Sequence, residues 1–223
     1  MTSSSERIKK DIIDTLYWDN RVDASNINVI VSEDKNVRLE GKVATYTARL
    51  AASQDAWTIS DVNFVDNQID VEYPRTLVLS DEEVKSNIEK KMDLSLFIDE
   101  STINISVDKG IVTLEGTVDA YWKKVAAENL ASDVMSVLGI ENKIAVVPTE
   151  DILDKVIAED IVSQLDRNYQ VDPDDIDVEV KNGTVSLSGT VPNWSAFRAA
   201  TETVENTSGV KIIKNNISID YNM

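Results

Sequence analysis

The heptapeptide Val37-Arg38-Leu39-Glu40-Gly41-Lys42-Val43 occurs three times in this chain with small changes. It returns at residues 112–118 as Val-Thr-Leu-Glu-Gly-Thr-Val and at residues 185–191 as Val-Ser-Leu-Ser-Gly-Thr-Val. Because Val, Leu, Gly and Val alternate with other residues, the heptapeptide predicts a β-strand with one buried face. Its return after 75 and then 73 residues predicts one folded unit that is repeated three times.

Other landmarks recur in the same register. The segment Asn67–Val71 matches residues 142–146 and 215–219, and Pro74 and Pro148 close the first two units. Proline cannot donate to a sheet ladder, so each of these prolines ends the strand before it. We therefore predict three small tandem domains, at residues 1–76, 77–148 and 149–223.

Each unit begins with a stretch of helical period, which is followed by a β-branched strand. The apolar residues predicted to share one helix face are Ile8, Ile12, Ile13 and Leu16, then Val84, Ile88 and Met92, then Ile157, Ile161, Val162 and Leu165. The strands are predicted at residues 27–31, 103–107 and 176–180. Gly110 and Gly183 supply the positive φ for the next hairpin, and Asn36 is expected to supply it in the first unit.

An alanine-rich stretch follows the heptapeptide, and a short strand ends each unit. The alanines predict a second helix that begins near Thr45, Ala120 and Asn193. The order is therefore α-β-β-α-β. It predicts an α+β fold in which two helices cover one face of a three-stranded mixed sheet.

Short polar patterns predict where the first helix of each unit begins. Ser80 and Glu83 have the spacing of a capping box, and Ser3 and Glu6 repeat it in the first unit. Thr149-Glu150-Asp151 is expected to cap the first helix of the third unit. The joints between the units are therefore predicted to be short.

The composition excludes most of the common catalytic constellations. The 223 residues include no Cys and no His, which excludes thiol nucleophiles, imidazole bases and metal sites built from either residue. No phosphate-binding glycine loop and no serine-hydrolase motif occurs. We therefore expect neither enzymatic activity nor a cofactor.

The net charge and the length of the apolar runs indicate which partners and which cellular location to expect. Asp and Glu number 40 against 22 Lys and Arg, and the net charge of −18 opposes binding to nucleic acid and to strongly anionic lipid. No run of 18 apolar residues is present, so no transmembrane segment is expected. The first residues lack the features of a secretory signal. The expected location is the cytoplasm as the sequence stands, or the periplasm if a signal has been removed.

The element order, the heptapeptide and the later segment Gly209-Val210-Lys211-Ile212-Ile213-Lys214-Asn215 resemble the BON domain (bacterial OsmY and nodulation). Three copies that fill nearly the whole chain are similar to the OsmY-like proteins with three tandem BON domains. Asp61 and Ser136 stand where the third unit has Gly209. The resemblance implies a bacterial protein associated with osmotic or envelope stress, with a binding role and no catalytic one. Members of the family are proposed to contact phospholipid surfaces, and one member is a cytoplasmic potassium-binding protein.

Aromatic residues mark one equivalent position in the three units. Tyr46, Tyr121 and Trp194 lie at the predicted start of the second helix, and Trp122 follows Tyr121. An exposed aromatic tip inserts at a lipid interface or docks on a partner, whereas a hydrophobic staple packs against its own helix. These four residues are the candidate binding residues, although local packing is the favoured interpretation.

The densest acidic cluster is Asp172, Asp174 and Asp175. Carboxylate oxygens are ligands that Ca²⁺ prefers, but the cluster lacks the spacing of an EF-hand loop. An Asp/Pro turn that leads into a strand is the favoured interpretation. The three residues are therefore only weak candidates for a metal site.

Two functional hypotheses remain. In the leading one, the chain is a non-enzymatic, stress-associated binding protein that contacts a phospholipid surface or a protein partner. In the alternative, it is a cytoplasmic ion-responsive protein that binds K⁺ or Ca²⁺. The sequence does not choose between them.

Overall fold

The computed structural model describes residues 4–74 and 78–221, and over these residues the three repeats have the same elements in the same order. The first repeat consists of α1 (Ser4–Trp18), β1 (Ile27–Val31), β2 (Asn36–Val43), α2 (Tyr46–Thr58) and β3 (Phe64–Val71). The second consists of α3 (Asp81–Asp93), β4 (Ile103–Asp108), β5 (Ile111–Val118), α4 (Tyr121–Ser132) and β6 (Gly139–Val146). The third consists of α5 (Asp154–Asp166), β7 (Ile176–Lys181), β8 (Thr184–Val191), α6 (Trp194–Glu205) and β9 (Ile212–Ile219). A short 3₁₀ turn precedes the first strand of each repeat, at Ala24–Asn26, Glu100–Thr102 and Pro173–Asp175.

Each repeat forms a three-stranded mixed sheet in which the heptapeptide strand is central, in the orders β1-β2-β3, β4-β5-β6 and β7-β8-β9. In the first repeat β1 is antiparallel to β2, and β3 is parallel to it. The predicted α+β class is therefore confirmed. The expectation of a short final strand is wrong, because β3 has eight residues and pairs with β2 from Asn36 to Val43.

The heptapeptide leucines form the centre of each repeat, since Leu39, Leu114 and Leu187 are all fully buried. The predicted first-helix faces are mostly confirmed, but Ile13 and Val162 are exposed. Successive helical residues lie about 100° apart, and the buried stripe is narrow. A residue directly after a buried one therefore falls on the flank of the stripe.

The glycine of the heptapeptide is required by close packing of the backbone. A Cβ built on Gly41 would lie 1.9 Å from the carbonyl oxygen of Asn26, at the end of the 3₁₀ turn. The same Cβ on Gly116 or Gly189 would lie 2.0 Å from the equivalent carbonyl oxygen. This glycine therefore has a role in the fold, where the 3₁₀ turn crosses the central strand.

The hairpin of the first repeat differs from the prediction. Lys35 has a positive φ of 58°, whereas Asn36 is already the first residue of β2. The backbone N–H of Asn36 donates to Oγ of Ser32, and its carbonyl accepts from the Ser32 N–H. These bonds hold Asn36 in the strand, so the left-handed conformation falls on Lys35.

The start of α5 also differs from the prediction. The capping box of Ser80 and Glu83 is confirmed by reciprocal hydrogen bonds, while Ser3 lies outside the described residues. In the third repeat, Thr149 does not cap the helix, because α5 begins at Asp154 after an N-cap residue that makes no side-chain hydrogen bond. The Asp154 carboxylate instead accepts from the backbone N–H groups of Asn182 and Gly183, at 2.7 and 2.9 Å. These bonds tie the helix to the hairpin and lower the pKa of Asp154.

The turn before the last strand has the same backbone conformation in all three repeats. Asp61, Ser136 and Gly209 have φ values of 73°, 70° and 86°. The two non-glycine residues make polar side-chain contacts at this turn. Asp61 forms ion pairs with Arg7 and Lys35, and Oγ of Ser136 accepts from the backbone of the second repeat.

By its internal contacts the chain divides into two compact units. The first comprises Met1–Ile88, Val107–Val112 and Ala131–Ile140, and it contains the whole core of the first repeat. The second comprises Glu89–Ser106, Thr113–Leu130 and Glu141–Met223, and it contains the whole core of the third repeat.

Candidate functional site

The predicted aromatic position is structurally equivalent in the three repeats. Tyr46, Tyr121 and Trp194 are the first residues of α2, α4 and α6, and all three are partly buried. Trp194 stacks on Phe197 of its own helix, with ring centroids 4.9 Å apart. This contact has the spacing and the geometry of local packing.

Tyr121 packs against the core of the third repeat, within the second compact unit. Burial raises the pKa of its phenol, and the negative charges of Glu205 and Glu128 raise it further. In the first compact unit, the hydroxyl of Tyr73 donates to the carbonyl of Val137 at 3.4 Å. Tyrosines of one repeat therefore contact the repeat that follows it.

Trp122 contacts a segment that the sequence analysis did not single out. Its ring meets the ring of Phe97 edge to face, with centroids 5.8 Å apart. Nζ of Lys123 lies 5.7 Å from the centre of the Trp122 ring and forms an ion pair with Asp119 at 2.7 Å. The arrangement places an aromatic pair beside a cation.

Phe97 belongs to one of three helix-exit segments, which we define as residues 17–22, 94–98 and 167–171. The first begins with the last two residues of α1, the other two begin directly after α3 and α5, and each leads to the 3₁₀ turn. Large apolar or aromatic side chains project into solvent from all three. Their exposed fractions are 74% for Tyr17, 79% for Trp18, 83% for Leu94, 94% for Leu96, 64% for Phe97 and 96% for Tyr169.

One buried residue near the end of each helix-exit segment anchors it. These anchors are Val22, Ile98 and Val171. Because each anchor is fixed in the core, the large apolar side chains that precede it stay outside the core. In the second repeat the sequence indicates this exposure, since Leu94 and Leu96 lie off the helical period of Val84, Ile88 and Met92.

Charged residues flank the helix-exit segments. Lys90 and Lys91 lie in the last turn of α3, where cations complement the helix dipole. In the first repeat, Arg21 forms a two-pronged hydrogen bond with Asp19, and Asp55 lies 3.9 Å from Arg21. Asp55 is buried, and burial, with a smaller contribution from the negative charge of Asp19, raises its pKa to about 6.

Clefts with polar walls lie at the end of the central strand in two repeats. The cleft of the second repeat has a volume of about 260 Å³ and is lined by Phe97, Asp99, Thr102, Thr117, Asp119 and Lys123, among others. The cleft of the first repeat has a volume of about 550 Å³ and is lined by the equivalent Asp23 and Asn26 and by Lys42 and Glu72. The two clefts therefore occupy equivalent places in the fold.

The acidic cluster of the third repeat lies at its 3₁₀ turn. Asp172 is the N-cap residue, and its carboxylate accepts from the backbone N–H of Asp174 at 3.1 Å. The carboxylates of Asp23 and Asp99 likewise accept from the backbone N–H two residues later in the chain, at 3.1 Å each. Asp175 is the last residue of the turn. Within residues 4–74 and 78–221, no three acidic side chains converge as metal ligands would.

The model of the BON domain family matches residues 4–73, 80–148 and 153–221. The chain is similar to the osmotically-inducible protein Y of Escherichia coli strain K12, with 28% identity over 126 residues. The match spans 54% of this chain and 63% of that relative.

Solved structures with some likeness include CdsD, a structural protein of the type III secretion system of Chlamydia trachomatis. It is 16% identical, with 95% of this chain and 91% of that chain covered, at a TM-score of 0.27. Another is the periplasmic domain of PrgH from S. typhimurium, at 12% identity, 88% and 96% coverage and a TM-score of 0.23. At these TM-scores neither likeness informs the fold or the function of this chain. Among the described residues, no helix has the length and apolar character needed to cross a bilayer.

Proposed function

The chain belongs to the BON domain family, and from that premise we propose that it is a non-enzymatic binding protein that contacts a phospholipid surface. The contact is made by the helix-exit segments. The name of its relative in Escherichia coli supports a role under osmotic stress. A phospholipid surface faces both the cytoplasm and the periplasm of a bacterium, so this function fits either location.

The observation that supports this proposal is the repetition of exposed apolar side chains at one place in the fold. Tyr17 and Trp18, then Leu94 to Phe97, then Tyr169 project from equivalent segments. Tyr and Trp favour the interface of a membrane, where the ring is apolar and its polar atom stays wet. Transfer of one Leu or Phe side chain from water is worth about 1.5–3 kcal/mol when burial is complete. Shallow insertion by one segment is therefore weak and reversible.

The charge of the chain decides which lipid surface it approaches. A net charge of −18 opposes a strongly anionic bilayer. Apolar insertion needs no opposite charge, and it therefore favours a surface rich in zwitterionic lipid. Lys90 and Lys91 at the end of α3 place positive charge next to the most apolar segment.

The candidate aromatic residues contribute unequally to this proposal. Trp122 supports it, because its ring packs on Phe97 of a helix-exit segment. Packing on the next repeat favours a role as a joint for Tyr121. We propose the same role for Tyr46 because it holds the equivalent position at the start of α2. Trp194 stays a candidate, although its ring stacks on Phe197 of its own helix and not on a helix-exit segment. We also propose that residues 1–76, 77–148 and 149–223 are the folding units.

Flotation with vesicles of phosphatidylcholine tests the proposal. The triple variant Leu94→Ser/Leu96→Ser/Phe97→Ser removes the most apolar segment. We expect it to float several-fold less than the unchanged chain. The matched control is Val156→Ser/Val162→Ser/Ile212→Ser, which removes three exposed aliphatic residues elsewhere. Equal flotation of both variants and the unchanged chain contradicts the proposal.

The ion-responsive alternative has less support, because the carboxylate of Asp172 is already engaged by the backbone of its turn. Calorimetric titration with K⁺ and with Ca²⁺ at fixed ionic strength separates the alternatives. Heat with a defined stoichiometry, lost in Asp172→Asn/Asp174→Asn, favours the alternative.

A further inference from the structure

An ion pair lines the cleft in each of the first two repeats, although residues at different positions form it. In the second repeat, Nζ of Lys123 lies 2.7 Å from a carboxylate oxygen of Asp119. In the first, Nζ of Lys42 lies 2.6 Å from a carboxylate oxygen of Glu72. Both pairs line their clefts. In the third repeat the position of Lys42 is held by Thr190, which hydrogen-bonds to Ser218 at 2.9 Å.

Both clefts are also lined by a carboxylate of the 3₁₀ turn, which already accepts from the backbone of that turn. Asp99 and Thr102 lie at the mouth of the cleft in the second repeat, and Asp23 and Asn26 hold the same positions in the first. Phe97, which is largely exposed, forms part of the wall in the second repeat. In the second repeat an apolar ring, a cation and carboxylates are thus adjacent, whereas the cleft of the first repeat has the cation and the carboxylates.

This combination matches a ligand that carries both charges next to an acyl chain. A phosphate group pairs with the lysine, and an ammonium group pairs with the carboxylate. The exchange leaves the net charge of each cleft unchanged, because one internal ion pair is replaced by two pairs with a ligand that carries both charges. A primary ammonium donates hydrogen bonds to carboxylate, hydroxyl and amide oxygens, whereas a trimethylated ammonium has no N–H to donate.

Building on the proposed lipid contact, we propose that the clefts of the first and second repeats bind the phosphoethanolamine headgroup of a zwitterionic phospholipid. The helix-exit segments provide the apolar contact, and the ion-paired clefts select the headgroup. Choline lipids satisfy the apolar contact but bring no N–H group to donate to Glu72 or Asp119 once the lysine has paired with the phosphate. The third repeat has Thr190 at the position of Lys42 and Ala196 at the position of Lys123, and without either lysine it does not take part in the selection.

The test compares the full chain with the variant Lys42→Gln/Glu72→Gln/Asp119→Asn/Lys123→Gln, which replaces both ion pairs with neutral side chains of similar size. Vesicles of phosphatidylcholine alone and of phosphatidylcholine mixed with phosphatidylethanolamine are the probes. We expect the unchanged chain to bind the mixed vesicles about three- to tenfold more tightly, as one or two charge-assisted hydrogen bonds allow. The variant should lose this preference and still bind phosphatidylcholine. The control Arg198→Gln/Glu202→Gln removes an ion pair of the third repeat and should keep the preference.

Phosphatidylethanolamine also loosens lipid packing, so a probe without acyl chains is needed. In NMR titrations, glycerophosphoethanolamine should shift the amide signals of Thr117 and Lys123, and glycerophosphocholine should shift them far less. Equal shifts with both probes, or a preference for the mixed vesicles that survives in the four-residue variant, overturn the headgroup proposal. The variant Leu94→Ser/Leu96→Ser leaves the lining of the clefts unchanged, and binding to every vesicle as tight as that of the unchanged chain would overturn the apolar contact alone, so the two proposals fail separately.

Discussion

Replacement of Asp55 by Asn should stabilise the first repeat at neutral pH. Asp55 is only 7% exposed, and its Oδ2 atom is buried and has no hydrogen-bond partner among the described residues. The nearest cation, Arg21, lies 3.9 Å away and is held at 2.6 Å by Asp19. The carboxylate of Asp55 is therefore buried with poor compensation.

The size of the expected stabilisation follows from the pKa of Asp55. The ordinary value is 3.8 and the value in the folded chain is about 6, chiefly because of burial. The folded state thus binds the proton more tightly than the unfolded state does. Stability from this group is fully present below about pH 4 and falls as the pH rises towards 6. At about 1.4 kcal/mol per pKa unit, the charged form costs roughly 2–3 kcal/mol at pH 7.5.

Asparagine has the same shape and no charge, and its amide can donate to Asp19. We expect Asp55→Asn to raise the free energy of unfolding of the first repeat by about 1–3 kcal/mol at pH 7.5 and to change it little at pH 4. Hydrogen exchange of the Leu39 and Ile69 amides reports on the first repeat, and exchange at Leu187 is the internal control. A lower free energy of unfolding in Asp55→Asn at pH 7.5 would refute the reasoning. An equal change in that free energy between pH 4 and pH 6 in the variant and the unchanged chain would refute it as well.

Three further predictions concern the repeated fold. Gly189→Ala should unfold the third repeat well below the temperature of the others, because the new Cβ meets the Asp175 carbonyl; Gly139→Ala is the control, since its Cβ approaches only one flexible side chain. Differential scanning calorimetry that shows both variants melting alike would disprove this role. Leu187→Ala should cost the third repeat about 2–5 kcal/mol in urea unfolding, and an unchanged transition would contradict the core assignment. Asp154→Asn should speed hydrogen exchange at Asn182 and Gly183 without affecting Lys109 and Gly110, which Asp81 holds; unchanged exchange at Gly183 would count against the tie between helix and hairpin.

The fold was predictable because its signals are local and occur three times. The heptapeptide places Leu39 in the core and Gly41 under the 3₁₀ turn, and each repeat confirms the same reading of the pattern. Where a feature depends on competition between neighbours, the sequence was less informative. Lys35 takes the left-handed conformation because Ser32 binds both polar backbone groups of Asn36, a choice that residue preferences do not show.

The candidate site was less predictable, because it depends on which residues the core leaves outside. Tyr121 and Leu96 are both apolar enough to be buried, yet the first packs on the next repeat and the second is 94% exposed. The sequence alone gives no measure of that difference. The clefts combine residues far apart in the chain, such as Asp99 with Lys123, and only the folded sheet brings these together.

Fluorescence quenching of Trp18 by brominated phosphatidylcholine tests the central claim most directly. The chain with Trp57→Phe/Trp122→Phe/Trp194→Phe retains Trp18 as its single tryptophan, and a matched chain retains Trp57, which packs against the first core. If the helix-exit segments enter the lipid surface, bromine near the headgroups quenches Trp18 and shifts its emission to the blue, while Trp57 is unaffected. Binding of the vesicles with no change in the emission of Trp18 would contradict the account.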